Sequence, residues 1–274
     1  VSHPFRYCLF LLLFKGINAG AQTAIVPKLI ASRPVTARTM TTDELGNIYA
    51  VLADNTLARY NERGDSTGFY RSALNGEIGT VDATNPLRLL LYYPGFNKVQ
   101  LLDRQLALKA EIDLRPLHIY SSTAVATASD GNIWVYDPFN AKIIKFDESG
   151  RQTMEGVDLR QQLPFVPKAQ FLLERDRRLF LCDTTQGILV FDQFATYLTT
   201  LPFKSVCELQ VFGQQVVFKD GTVLHRYNMQ DLREEQVPLP GFEGAPPLEA
   251  SLTQRTLTIR YAQQLAVYSW QESR

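Results

Sequence analysis

The chain is most constrained by a repeat. Tyr60, Leu102, Phe146, Phe191, Tyr227 and Tyr268 close successive β-rich runs, at separations of 42, 44, 45, 36 and 41 residues. Three residues before each stands an aliphatic: Leu57, Val99, Ile143, Ile188, Leu224 and Leu265. The runs are short, β-branched and aromatic, and Gly, Asp or Asn bounds them, which excludes helical repeats. No segment after residue 22 shows a long amphipathic helical period. Units of about forty residues, each too small to bury its own faces, reach stability by packing on one another, and four short strands per unit is the pattern of a β-propeller. The expected fold is therefore all-β: a six-bladed propeller of four-stranded antiparallel blades filling residues 22–274 as one domain. In the third unit the spacing predicts strands near 122–128, 132–137, 142–147 and 151–156.

An open ring would leave an unpaired strand edge. The last unit stops after its third strand, near Trp270. The segment Thr23–Ile30 has no other role and is expected to supply the outer strand of blade six, so that the N-terminal strand closes the ring.

Before that segment, Arg6 precedes the apolar run Tyr7–Phe14, and Ala19-Gly20-Ala21 follows. This order describes a secretory signal peptide over residues 1–21. The run is far short of the roughly 20 residues needed to span a bilayer, although Lys15 keeps a retained anchor as the alternative. The protein is thus expected to be exported, to the periplasm or the cell exterior, with no transmembrane span after cleavage. Cys182 and Cys207 then remain, read as buried free thiols, with a single bridge as the alternative. Lys and Arg number 28, as do Asp and Glu. That balance argues against a general nucleic-acid binder, and the densest basic run, Arg175-Asp176-Arg177-Arg178, reads as a solvated turn.

The residues Asp130-Gly131-Asn132-Ile133-Trp134-Val135-Tyr136-Asp137, then Asn140 to Ile144, then Phe146-Asp147 and Gly150, closely resemble the NHL repeat. Asp43 to Gly64 is a second good match, and the other four units keep only the anchors. The resemblance implies a six-bladed propeller. It does not imply one function, since such chains include peptide-processing lyases, RNA binders, and extracellular or periplasmic binding modules. The NHL-like lyases use a metal site containing His and Tyr. This chain, with His118 and His225 alone after residue 21, cannot supply several histidines.

Other chemistry is poorly represented. No H-x-H, H-E-x-x-H, paired C-x-x-C, G-x-S-x-G, P-loop or G-x-G-x-x-G motif occurs, so no catalytic residue, cofactor or metal is expected. The enzymatic alternative is a lactonase-like hydrolase with a Ca²⁺-type ion on oxygen ligands at the axial channel. Glu77, Glu208 and Glu249 stand near the starts of first strands, as that reading needs. At matching positions stand Arg38, Thr123 and Lys168, and the bases read better as ion-pair partners of the glutamates. Arg38, Lys168, Glu208 and Glu249 are accordingly expected around the channel mouth.

The loops hold the most suggestive pattern. Tyr120, Phe165, Phe203 and Phe242 lie in four inter-blade loops rich in proline, and Phe96 and Phe139 lie in turns between second and third strands. In a ring these loops share one face. The expected function is a non-enzymatic scaffold or binding module of the cell envelope, with these six aromatics as its protein-binding face. A small-ligand or glycan sensor is the remaining alternative. Packing between blades competes with exposure at each of the six.

Overall fold

The computed structural model describes residues 27–270. The expected signal peptide lies outside them. Six four-stranded antiparallel sheets follow one another along the chain. Their innermost strands are Ala37–Thr42, Thr80–Asp82, Ala124–Thr127, Ala169–Arg175, Leu209–Phe212 and Glu249–Leu252. Contacts between neighbouring sheets run in order from blade one to blade six and back to blade one, through the innermost strands except from blade five to six, where Gln215–Asp220 meets Glu249–Leu252, so the sheets form a closed ring around an axis. In blade three the strands are Ala124–Thr127, Ile133–Asp137, Lys142–Phe146 and Gln152–Glu155, within two residues of the spacing's expectation at nearly every end. Two single 3-10 turns, Arg115–Leu117 and Leu159–Gln161, are the helical structure among the described residues.

Blade six takes its outer strand from the beginning of the chain, as the missing fourth strand requires. Lys28–Pro34 pairs antiparallel with Gln264–Ser269, from Lys28 opposite Ser269 to Pro34 opposite Gln264. The strand lies later than the sequence reading put it, and residues 23–26 of that reading fall outside the described region. Pro27 and Pro34 explain the bounds. Proline has no N–H for the ladder and is tolerated at strand ends and on edges.

The repeat anchors work in two ways. Their side chains fill the seams between sheets: Leu102 and Phe191 are fully buried, and Tyr60, Phe146 and Tyr268 nearly so. In blades one to five the residue after the anchor then shapes the turn to the outer strand. Asp147 accepts the amides of Ser149 and Arg151, Asp103 those of Gln105 and Ala107, Asp192 those of Phe194 and Thr196, and Asn61 those of Arg63 and Asp65. Each such turn needs a residue in the left-handed region. Gly64 and Gly150 supply it in the two motif-bearing blades, at φ 78° and 80°. Leu106, Ala195 and Leu232 adopt it elsewhere, which explains how the turn survives where the glycine of the motif is lost.

The inner strands present an unpaired edge to the axis, and neighbouring blades cap it. Met40 N–H donates to Glu249 at 2.7 Å, Thr127 N–H to Asp82 at 2.6 Å, and Leu252 N–H to Gln210 at 2.6 Å. Each bond joins two blades and satisfies a buried donor that would otherwise be left open. Trp134, fully buried, fills the seam between blades three and four and donates its indole N–H to Glu174, which also accepts from Ser129 Oγ.

Candidate functional site

The inner strands all run from one face of the ring, here the upper face, to the other. The inter-blade loops and the turns between second and third strands therefore gather on the upper face. The turns between first and second strands lie on the lower face.

The four expected channel-mouth residues have separate fates. Arg38 pairs with Glu77 of blade two at 2.9 Å and donates to Asn55 Oδ1 at 2.6 Å. Glu249 is held by both guanidinium arms of Arg260, at 2.9 and 3.1 Å, besides the Met40 amide. Lys168 is exposed, and its ammonium has no ion-pair partner among the described residues; its backbone N–H donates to Asp183. Arg38 thus pairs with a glutamate as expected, while the partner of Glu249 is Arg260, a residue that no motif marks. Two carboxylates used up in this way leave no ready oxygen cage. Among the described residues, no group of three or more His, Cys, Asp or Glu is placed to hold a metal ion.

Glu208 is the one group here with an unusual acidity. Its side chain keeps exposed surface, yet protein atoms crowd around its carboxyl. That burial, reinforced by the charge of Glu249 and only partly offset by Arg260, raises its carboxyl from 4.5 to about 7. The native state therefore holds this proton more tightly than the unfolded chain does. Between pH 4.5 and 7 the native state carries more protons, so stability falls as pH rises through this window and levels off above it. Glu208→Gln is expected to flatten that slope. Melting temperatures of both proteins from pH 4.5 to 8 check this; parallel curves would contradict it.

The thiols differ from each other. Cys182 is buried and Cys207 exposed, and neither is bridged. Cys207 thus departs from the buried reading, because the loop before Leu209–Phe212 runs over the surface. Burial pushes the Cys182 thiol far above its ordinary value, leaving little thiolate to react. Native alkylation followed by peptide mapping is expected to label Cys207 and spare Cys182 until the protein is denatured.

The six aromatics divide in half. Tyr120 is 67% exposed, Phe139 79% and Phe96 44%. Phe203 sits between Phe218 and Tyr227, at centroid distances of 4.8 and 4.9 Å. Phe242 packs on Tyr261 at 5.6 Å, and Phe165 rests against the seam around Trp134. The proline-linked loops entering blades four, five and six fold back over the seams and use their aromatic as a plug, whereas Phe96 and Phe139 stand on tight turns that cannot reach a seam. Phe96 still has a fixed seat: a Cβ on Gly76 would come within 2.8 Å of its ring. The exposed three belong to blades two and three and the loop joining them. Leu74 and Val157, exposed at 83% and 48%, extend the strip on the same face. Phe203→Ala is expected to cost about 3 kcal/mol of stability, and Phe139→Ala no more than about 0.5 kcal/mol, measured by chemical denaturation.

Both histidines have close local partners. His225 stacks on Phe218 and pairs with Glu234 at 2.6 Å; His118 meets the Tyr120 hydroxyl at 3.3 Å. The basic run does form a tight turn, with Asp176 and Arg177 both at positive φ. Arg175, however, reaches Glu44 of blade one at 3.5 Å. Blades one and four are opposite in a ring of six, so this ion pair crosses the axis at the lower face, a contact invisible to any local reading.

No helix among the described residues is long and apolar enough to cross a membrane. No protein-family profile matches the chain, and no curated protein sequence matches it. Solved structures do. Virginiamycin B lyase from Staphylococcus aureus aligns at TM-score 0.63 and 12% identity, over 90% of this chain and 100% of that one. A streptogramin B lyase aligns at TM-score 0.63 and 11% identity, over 90% and 97%. The Pan2 WD40 domain of Neurospora crassa aligns at TM-score 0.58 and 10% identity, over 90% and 96%. At such identities the likeness shows the fold alone: the chain is a six-bladed β-propeller.

Proposed function

We propose that this propeller is a non-catalytic binding module of the cell envelope, of the NHL-like kind, which docks a protein partner on its upper face over blades two and three. The observation that carries this reading is the exposure of Phe96, Tyr120 and Phe139 on adjacent blades, while Phe165, Phe203 and Phe242 are half-buried in packing. A seam needs a plug, and the packed three serve that purpose. The exposed three keep much of their rings in solvent although Phe96 seats against Gly76 and Tyr120 meets His118, and large rings on a rigid scaffold are the usual anchors of protein interfaces. The basic residue, apolar run and small-residue end of residues 1–21 support export.

The test is a double variant, Tyr120→Ala with Phe139→Ala, used as bait beside the native protein in envelope extract. A Phe69→Ala bait, altering an exposed ring on the outer strand of blade one, is the control. The expected result is a partner retained by native and control baits and lost from the double variant, whose melting temperature is unchanged. Equal capture by all three baits would overturn the assignment of the face.

A further inference from the structure

A second site lies on the opposite face, inside the ring. The lower halves of the inner strands enclose a chamber of about 140 Å³, walled by blades one, two, four, five and six. Its walls mix apolar side chains, among them Val81, Leu172, Leu209, Val211 and Leu252, with polar ones, among them Asp43 and Asp82, whose carboxylates accept the amides of Leu45, Asn47, Thr84 and Thr127. Below it a wider polar vestibule of about 480 Å³ is lined by Asn85, Thr127, Ser129 and Glu174. Glu44, Thr84 and Arg175 belong to both compartments, so the ion pair across the axis stands at the boundary between them.

Volume and the guanidinium fork of Arg175 at the mouth select the occupant. A cavity of about 150 Å³ takes up a single benzene ring, so by volume this chamber of about 140 Å³ fits one aromatic ring or a short branched chain. At its threshold Arg175 makes, among the described residues, a single side-chain hydrogen bond, the long contact of 3.5 Å to Glu44, a carboxylate that is itself half-exposed. A guanidinium carries five donors in a fork matched to carboxylate geometry. Among the described residues no other side chain takes up that fork at the chamber mouth. Thr127 Oγ1, in the vestibule wall, is buried without a hydrogen-bond partner.

We propose that the axial chamber binds a small monocarboxylate with one aryl or short branched alkyl group, the apolar group inside the ring and the carboxylate on Arg175 in place of Glu44. This inference is independent of the protein-docking face, which lies on the other side of the molecule. A ligand of this size saturates with a Kd of about 0.1–1 mM.

The probe is 3-phenylpropionate, titrated into the full chain and followed by NMR line broadening and shift of the ligand. Acetate tests the head alone and phenethylamine tests the opposite charge. Saturable binding of phenylpropionate, with neither control binding within tenfold of it, is expected. Arg175→Gln is expected to weaken binding by about tenfold, as loss of a charge-assisted pair does. Glu44→Gln, which frees the guanidinium, is expected to tighten it several-fold. Both side chains are surface-accessible, and circular dichroism on each variant verifies the fold. No saturation below 10 mM, affinity unmoved by either substitution, or tighter binding of the amine would each overturn the proposal.

Discussion

Removal of residues 22–34 is expected to open blade six and make the protein aggregate. The deletion takes away the strand Lys28–Pro34 and exposes the edge of Gln264–Ser269, a template for pairing with other chains. Specific contacts leave with it. Arg33 lies over the Tyr60 ring at 5.3 Å and donates to the Gly64 carbonyl at 3.1 Å, tying blade six to blade one. A cation–π contact contributes about 0.5–1 kcal/mol and a charged hydrogen bond about 1.5 kcal/mol. Their loss alone lowers the melting temperature of a chain this size by about 4–8 °C. Light scattering at increasing concentration, beside calorimetry, checks both parts. A truncated protein that stays monomeric with an unchanged melting temperature would show that the ring does not depend on this strand.

Glu249→Ala is expected to be among the most damaging single substitutions outside the apolar seams. Glu249 and Arg260 are both largely buried, with side-chain exposures of 23% and 11%. The carboxylate also accepts Met40 N–H from blade one, while Arg260 donates to the Ala37 carbonyl at 2.9 Å. Truncating it leaves a buried guanidinium without its counter-charge and a backbone donor without an acceptor. Breaking a buried pair in this way costs about 3–5 kcal/mol. Glu249→Gln keeps the shape and an acceptor for Met40, and is expected to recover part of the loss. Denaturant unfolding of the two variants separates the charge from the hydrogen bond; equal and small effects would mean that the clamp contributes little.

The repeat was legible because its anchors perform two local tasks, filling a seam and placing an Asp or Asn at the next turn. Both leave marks at fixed spacing. The Asp147 turn beside Gly150 is readable in a single blade, and the ring follows from counting the others. Closure was legible too, since a blade lacking one strand at the end must find it at the beginning; the register was less so, because Pro27 and Pro34 set its bounds.

Site residues were readable as to face but not as to fate. Phe203 and Phe139 look alike in sequence, each next to proline in a loop. Only the path of the loop decides whether the ring meets Phe218 and Tyr227 or points into solvent. The partner of Glu249 was missed because Arg260 is eleven residues away on the adjacent strand, at a position no motif marks. Arg175 and Glu44 are 131 residues apart and meet only because six blades put them across one axis.

The proposed docking face is tested most directly by site-specific photo-crosslinking in living cells. A benzophenone amino acid is placed at Phe139 on the upper face, and separately at Phe194, which is 57% exposed on a lower-face turn. The account predicts an adduct of one defined mass from position 139 and none from position 194. Adducts from position 194 alone, or the same adducts from both, would contradict it.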